Sequence, residues 1–294
     1  MLGLDWLFNW GPPPMKFDRP PVGLLAGWGR FPILFAQKAK KLGIPVVCVG
    51  LIDEAAPELE GMVDRFYWAG IAKLGRMISC FKYEGVEKIV MAGKLHKVRM
   101  NVSFRLLRYL PDWRMICAYF FGNRKDNKDD TLLLSLIDEF AKDGMTFASA
   151  LDFCPELLVK EGQLTSYGVS ASEEADIAFG WEMAREMGRL DVGQSVAVRE
   201  KAVLAVEAIE GTDQCILRAG QLCPRGGFVV VKVAKPKQDM RFDVPTIGCG
   251  TIESMYKAGG RVLAIEAGKT IVIDQEETVA LADRYGITIV ARAA

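Results

Sequence analysis

The feature that most constrains this chain is an apolar run, a glycine turn, a helix and a second apolar run in direct succession. Val22-Gly23-Leu24-Leu25-Ala26 reads as a buried strand, and Gly27-Trp28-Gly29-Arg30-Phe31-Pro32 as a turn. Pro32 suits the first turn of a helix that runs to about Leu42, with Ile33, Leu34, Ala36 and Ala39 set among lysines. Gly43 ends it, and Pro45-Val46-Val47-Cys48-Val49 follows as a second strand. Two strands joined by one helix lie parallel with a right-handed crossover, so the opening commits the chain to an α/β fold. Ile71 to Tyr83 continues as a helix, and Lys88-Ile89-Val90-Met91-Ala92 as a strand ending in Gly93-Lys94. Two strands therefore end in glycine-bearing, cationic loops, and ligands of open parallel sheets bind at the carboxyl ends of strands.

Further along, Ser103 to Phe121 is apolar, aromatic and basic, and reads as helices broken at Pro111. Asp129-Asp130 precede an amphipathic helix from Thr131 to Lys142, where carboxylates suit the positive end of the helix dipole. The alternation weakens around Phe147 to Gly162, which places a boundary near residue 150. The second half opens with a helix from about Ser172 to Met187, with Ser172 as its cap. Ser195 to Arg199 and Ala202 to Val206 read as a hairpin around Glu200-Lys201. Strands at Phe228 to Val233, Val262 to Ile265, Thr270 to Ile273 and Ile287 to Val290, with helices at Thr251 to Ala258 and Glu276 to Tyr285, complete a mixed α/β domain. The expected organisation is an extension over residues 1–19, a Rossmann-like N-terminal domain with a parallel sheet over 20–150, and a mixed α/β C-terminal domain over 151–294.

The chain has 294 residues, half of them hydrophobic, enough for two packed cores. Lys+Arg and Asp+Glu balance at 37 each, so no net field favours nucleic acid. Seven scattered cysteines form no Cys-x-x-Cys pair and read as reduced thiols of a cytoplasmic protein. His96 is the only histidine, beside Lys94 and Lys97. A histidine-rich metal site is excluded, and carboxylates and lysines with a hard metal such as Mg2+ become the expected tools. Met1 to Trp10 is too short to span a bilayer and lacks the basic start of a signal peptide. It reads as a loose tail, or as sequence ahead of a start at Met15, with an interfacial anchor as the rival.

Chemistry concentrates in Lys235-Pro236-Lys237-Gln238-Asp239-Met240-Arg241-Phe242-Asp243-Val244-Pro245-Thr246-Ile247-Gly248. Cations there suit phosphate oxygens, and carboxylates suit a divalent metal or a water to be activated. The alternative is a solvated, turn-rich connection. Three further segments carry unusual polar density: Gly188 to Gln194, Glu207 to Asp213, and Glu266 to Gly268. Thr212-Asp213 serves either a site or the cap of the next helix. The Gly27-x-Gly29 turn lacks the third glycine of a dinucleotide fingerprint, since Pro32 stands there.

Taken in order, Gly23 to Pro32, Met91 to Lys94, Gly188 to Gln194, Ala205 to Asp213, and Lys235 to Asp239 with Arg241 to Gly248 resemble the LpxI type of UDP-2,3-diacylglucosamine diphosphatase. The resemblance covers about residues 20 to 291. It implies a Mg2+-dependent hydrolase of lipid A biosynthesis, cytoplasmic, that splits a lipid-linked nucleotide sugar into UMP and 2,3-diacylglucosamine 1-phosphate. It also implies two domains closing over the lipid and a homodimer, and leaves a peripheral contact with the inner membrane open. Asp243 becomes the essential acid, and Gly29, Arg30, Gly93, Lys94, Asp152, Ala197 and Asp213 the contact positions. Asp213 and Asp239 are further metal-ligand candidates, and Lys235, Lys237 and Arg241 phosphate-binding ones. The family often has a small residue where Arg30 stands and an asparagine where Lys94 stands. Rival readings are a nicotinamide-dependent oxidoreductase on the first domain and a non-catalytic nucleotide-sugar or lipid carrier.

Overall fold

The computed structural model describes residues 13–94, 110–121, 129–236, 238–241 and 244–293. The chain is α/β and divides into two compact units between Cys154 and Pro155.

The first unit is built on a wholly parallel sheet in the order β3-β2-β1-β4-β5. Its elements are β1 (Val22–Ala26), α1 (Phe31–Lys41), β2 (Val46–Leu51), β3 (Arg65–Ala69), α2 (Leu74–Tyr83), β4 (Lys88–Ala92), α3 (Trp113–Phe121), α4 (Asp129–Ala141) and β5 (Thr146–Ala148). The core packs Val47, Val49, Leu74, Ile78, Phe81, Ile89 and Phe140. Phe140 meets Phe147 edge-on at 5.1 Å between ring centroids. Two strands escaped the sequence reading. β5 is three residues long, below the reach of any periodicity, and β3 is an aromatic run without clean alternation. Helix α2 starts at Leu74 rather than Ile71. Its first turn is held by Asp112, whose Oδ2 accepts from Gly75 N at 2.7 Å and Arg76 N at 3.3 Å. Residues 13–19 are not loose. Buried Glu84 accepts from the Met15 amide at 2.9 Å, the Arg65 Nε and the Tyr67 hydroxyl, and Arg65 donates to the Pro13 carbonyl. The expectations for Met1 to Trp10 and for Ser103 to Tyr109 lie outside the described residues, as does His96.

The second unit carries a six-stranded sheet in the order β6-β13-β11-β9-β7-β8. Here β6 is Gly162–Gln163, β7 Ser195–Arg199, β8 Ala202–Val206, β9 Phe228–Lys232, β11 Gly260–Glu266 and β13 Thr288–Arg292. Strands β9, β11 and β13 are parallel, while β6, β7 and β8 run against their neighbours, so the sheet is mixed. Alternate residues feed opposite faces. Val229 and Val231 pack with Ile177 and Ala184 of α5 (Ala171–Arg189). Phe228 and Val230 pack with Ile216 of α6 (Thr212–Leu222), Ile252 of α7 (Cys249–Ala258) and Ala282 of α8 (Gln275–Arg284).

Two expectations are corrected. Ser170, not Ser172, caps α5, because the capping box needs its glutamate three residues on and Glu173 supplies it. Thr270 to Ile273 shortens to β12 (Ile271–Val272), which pairs with β10 (Thr246–Ile247) as a separate two-stranded sheet.

Candidate functional site

In the first unit the chain passes from β1 outward through β2 and β3, then returns to the other side of β1 as β4. That reversal leaves a crevice at the carboxyl ends of β1 and β4. The turns beyond these strands are laced together. Gly27 N donates to the Ala92 carbonyl, and Trp28 and Lys94 exchange backbone hydrogen bonds, each at 2.8 Å. Gly93 has φ +99°, and a Cβ there would lie 2.7 Å from the Gly27 carbonyl carbon. The lacing sets Gly29 (φ +108°) and the exposed Arg30, the N-cap residue of α1, near the exposed Lys94. It also spends the Gly27 and Trp28 amides on β4, so neither is offered to a pyrophosphate as a dinucleotide turn would offer it. Asp152 is exposed beyond β5, and its carboxylate accepts from the Ser149 amide at 3.2 Å in a capping box.

In the second unit all four polar segments meet at one end of the sheet. Parallel β9 and β11 end there, and antiparallel β7 begins there, with Ser195 opposite Lys232. Gly193 admits the Glu207 backbone, whose carbonyl oxygen would lie 1.9 Å from a Cβ at that position. Lys235 pairs with Asp191 at 2.7 Å, and the Ala234 amide donates to buried Glu266 at 2.7 Å. Lys232, at the end of β9, is a buried cation, 5 % exposed. Its ammonium donates to Thr212 Oγ1 and to the Thr246 carbonyl, both at 3.0 Å. Thr212 Oγ1 in turn donates to Glu207 Oε1 at 3.0 Å.

The expected site residues separate within this frame. Asp213 is exposed in the first turn of α6. Neither it nor Thr212 caps that helix, since Gly211 is the N-cap residue and no side chain closes the end. Asp239 gives both carboxylate oxygens to Arg241, at 2.9 Å to Nε and 2.6 Å to Nη2. Those hydrogen bonds hold the Asp239 carboxyl below its usual range and raise the Arg241 guanidinium. Asp239 and Arg241 thus meet as an ion pair that engages the carboxylate and the guanidinium alike. Ala197 is buried in mid-strand, packed in the α6-side core, so its side chain faces apolar neighbours rather than a ligand. Lys237 and Asp243 lie outside the described residues.

Mg2+ asks for hard oxygens. Among the described residues no three His, Cys, Asp or Glu side chains cluster as a metal cage. The donor chemistry that fits is the exposed carboxylate of Asp213 at the head of α6.

Sequence alone offers Thr212 as either site or cap and Glu207 only as part of a polar segment, and it does not single out Lys232. One signal existed: Lys232 is the lone charge within the apolar run Phe228 to Val233. Such a lysine must find partners inside the fold.

Comparison with known proteins follows the same division. The LpxI N-terminal domain family matches residues 21–157 and the LpxI C-terminal domain family residues 160–290. The chain is 33% identical over 277 residues to the UDP-2,3-diacylglucosamine pyrophosphatase LpxI of Caulobacter vibrioides, covering 91% of this chain and 96% of that protein. Among solved structures, the biotin carboxylase subunit of pyruvate carboxylase aligns at 16% identity and a TM-score of 0.26. That alignment covers 64% of this chain and only 36% of the other, and it carries no argument.

Proposed function

Since the chain belongs to the LpxI family, with both of its domains matched in order, we propose that it is a hydrolase that cleaves the pyrophosphate of UDP-2,3-diacylglucosamine. The products are UMP and 2,3-diacylglucosamine 1-phosphate, and the reaction requires Mg2+. The observation that carries this reading is the 33% identity extending over 96% of a relative bearing that activity in its name.

The chemistry is assigned to the second unit. A pyrophosphate repels a nucleophile through its own negative charge, and fixed cations offset that charge. Lys235 and Arg241, on the loop beyond β9, and Lys237 in the same segment are assigned to phosphate oxygens. Asp243 accepts a proton from the attacking water, and with Asp213 it would hold the metal. Bound there, Mg2+ would supply charge neutralisation at the phosphates. In the first unit, Gly29, Arg30, Gly93 and Lys94 are assigned to ligand contact at the carboxyl ends of β1 and β4. No helix of the described residues is long and apolar enough to cross a membrane, which suits an enzyme that meets its lipid at a surface. The reading extends to a homodimer, which sedimentation would report as twice the mass of one chain.

The test is release of UMP from UDP-2,3-diacylglucosamine. UMP should appear with Mg2+, vanish with a chelator and return when Mg2+ is restored. Tight substrate binding without any UMP would instead make the protein a carrier.

A further inference from the structure

A single ammonium ties together the two segments that flank the proposed chemistry. Lys232 donates on one side to Thr212, the residue before Asp213 in the first turn of α6. On the other it donates to the Thr246 carbonyl in β10, where the chain returns from the loop bearing Lys235, Asp239 and Arg241. Thr246 closes that return with its own hydroxyl, which donates to the Val244 carbonyl at 2.9 Å. Thr212 passes the connection to Glu207, 8 % exposed, and lies 3.5 Å from the Ser195 hydroxyl. Four backbone segments thus converge on one buried cation.

Burying an ammonium and a carboxylate this deeply is costly. An apolar side chain at 232 would suit a strand whose other four residues are all buried. The arrangement does not serve to cap α6, which ends on Gly211 (φ +83°) without a side-chain cap. What it does fix is register: the position of the α6 first turn against the returning limb of the loop. Resting on the functional reading above, we propose that Lys232, acting through Thr212 and the Thr246 carbonyl, is a positioning residue that sets Asp213 against the phosphate-binding loop. Glu207 serves as the counter-charge of the clamp. Lys232 does not touch substrate in this role; it holds the group that does.

The test compares Thr212→Val with Thr212→Ser. Replacing Lys232 itself would leave Glu207 without its counter-charge and endanger folding, whereas valine keeps the threonine shape and removes only the hydroxyl. Wild-type release of UMP is measured first, so that inactivity there counts against the functional reading and not against the clamp. With an active wild type, Thr212→Val should lose about tenfold in kcat with KM little changed, the scale of a lost orienting contact. Thr212→Ser should stay within about twofold. Amide exchange supplies a readout independent of turnover: in Thr212→Val, residues 211–214 and 244–248 should exchange faster together. The clamp is overturned if kcat is unchanged in Thr212→Val, if serine rescues nothing, or if only one of the two segments loosens.

Discussion

The two units solve the same geometric problem in opposite ways. Each brings loops together at the carboxyl ends of parallel strands. The first unit does so with backbone alone: glycines 27 and 93 approach until only hydrogen fits between them, and main-chain hydrogen bonds seal the contact. Its cations, Arg30 and Lys94, are left exposed on a fixed frame. The second unit does so with side chains: Lys232, Thr212, Glu207 and Glu266 form buried polar contacts between segments. A backbone frame positions without adding charge and suits a unit that holds a ligand. A charged interior adds both position and field, and suits the unit given the chemistry.

The largest expected effect tests that division directly. Asp243→Ala should fold and lose roughly a hundredfold or more in kcat, whereas Lys94→Ala should act mainly on KM. Equal losses of kcat from the two variants would dissolve the distinction. Next comes stability. Gly93→Ala forces both a left-handed residue and a backbone clash, and should lower the unfolding free energy by about 3 kcal/mol or more. Gly29→Ala meets only the φ penalty, about 1–2 kcal/mol, since nothing lies within 4 Å of its Cβ. Urea unfolding curves that coincide for the two variants would refute the backbone lacing.

A smaller effect follows from Asp239. Its folded carboxyl titrates below the ordinary range because Arg241 holds the anion. Its contribution to stability is therefore present above the ordinary carboxylate pKa and lost as pH falls through the depressed one. At 30 % side-chain exposure the pair contributes no more than about 1 kcal/mol. Asp239→Asn should erase that acid-side slope in unfolding curves measured below about pH 5. The smallest effect concerns Cys80, whose thiol burial pushes up to about 11. Native protein at neutral pH should leave it unalkylated, as counted by mass spectrometry, and rapid labelling would mean that the first-unit core opens easily.

Legibility followed the range of the interactions. The β1-α1-β2 opening was readable because its turn glycines, Pro32 and apolar spacing are all local. The hairpin was readable as two short β-type runs on either side of Glu200 and Lys201. The start of α2 was not, because the carboxylate that holds its first turn, Asp112, lies 37 residues beyond Gly75. Nor was the fate of Asp239. Composition marks it as a metal-ligand type, and only coordinates reveal that Arg241, two residues on, pairs with it. Lys232 was legible as an oddity, a charge inside an apolar strand; its partners at 212 and 246 were not.

The turn between β7 and β8 depends on a residue that lies outside the hairpin. Glu200 (φ 52°) and Lys201 (φ 58°) both sit in the left-handed region that asparagine and glycine normally fill. Neither residue favours that shape by itself. Both amides are gathered by one carboxylate, Asp176 on α5, at 2.9 and 2.7 Å. The bend is thus dictated by a helix laid down more than twenty residues earlier. The hairpin's turn is therefore shaped by a helix packed against it, and removing that one carboxylate would leave two left-handed residues without the contact that holds them.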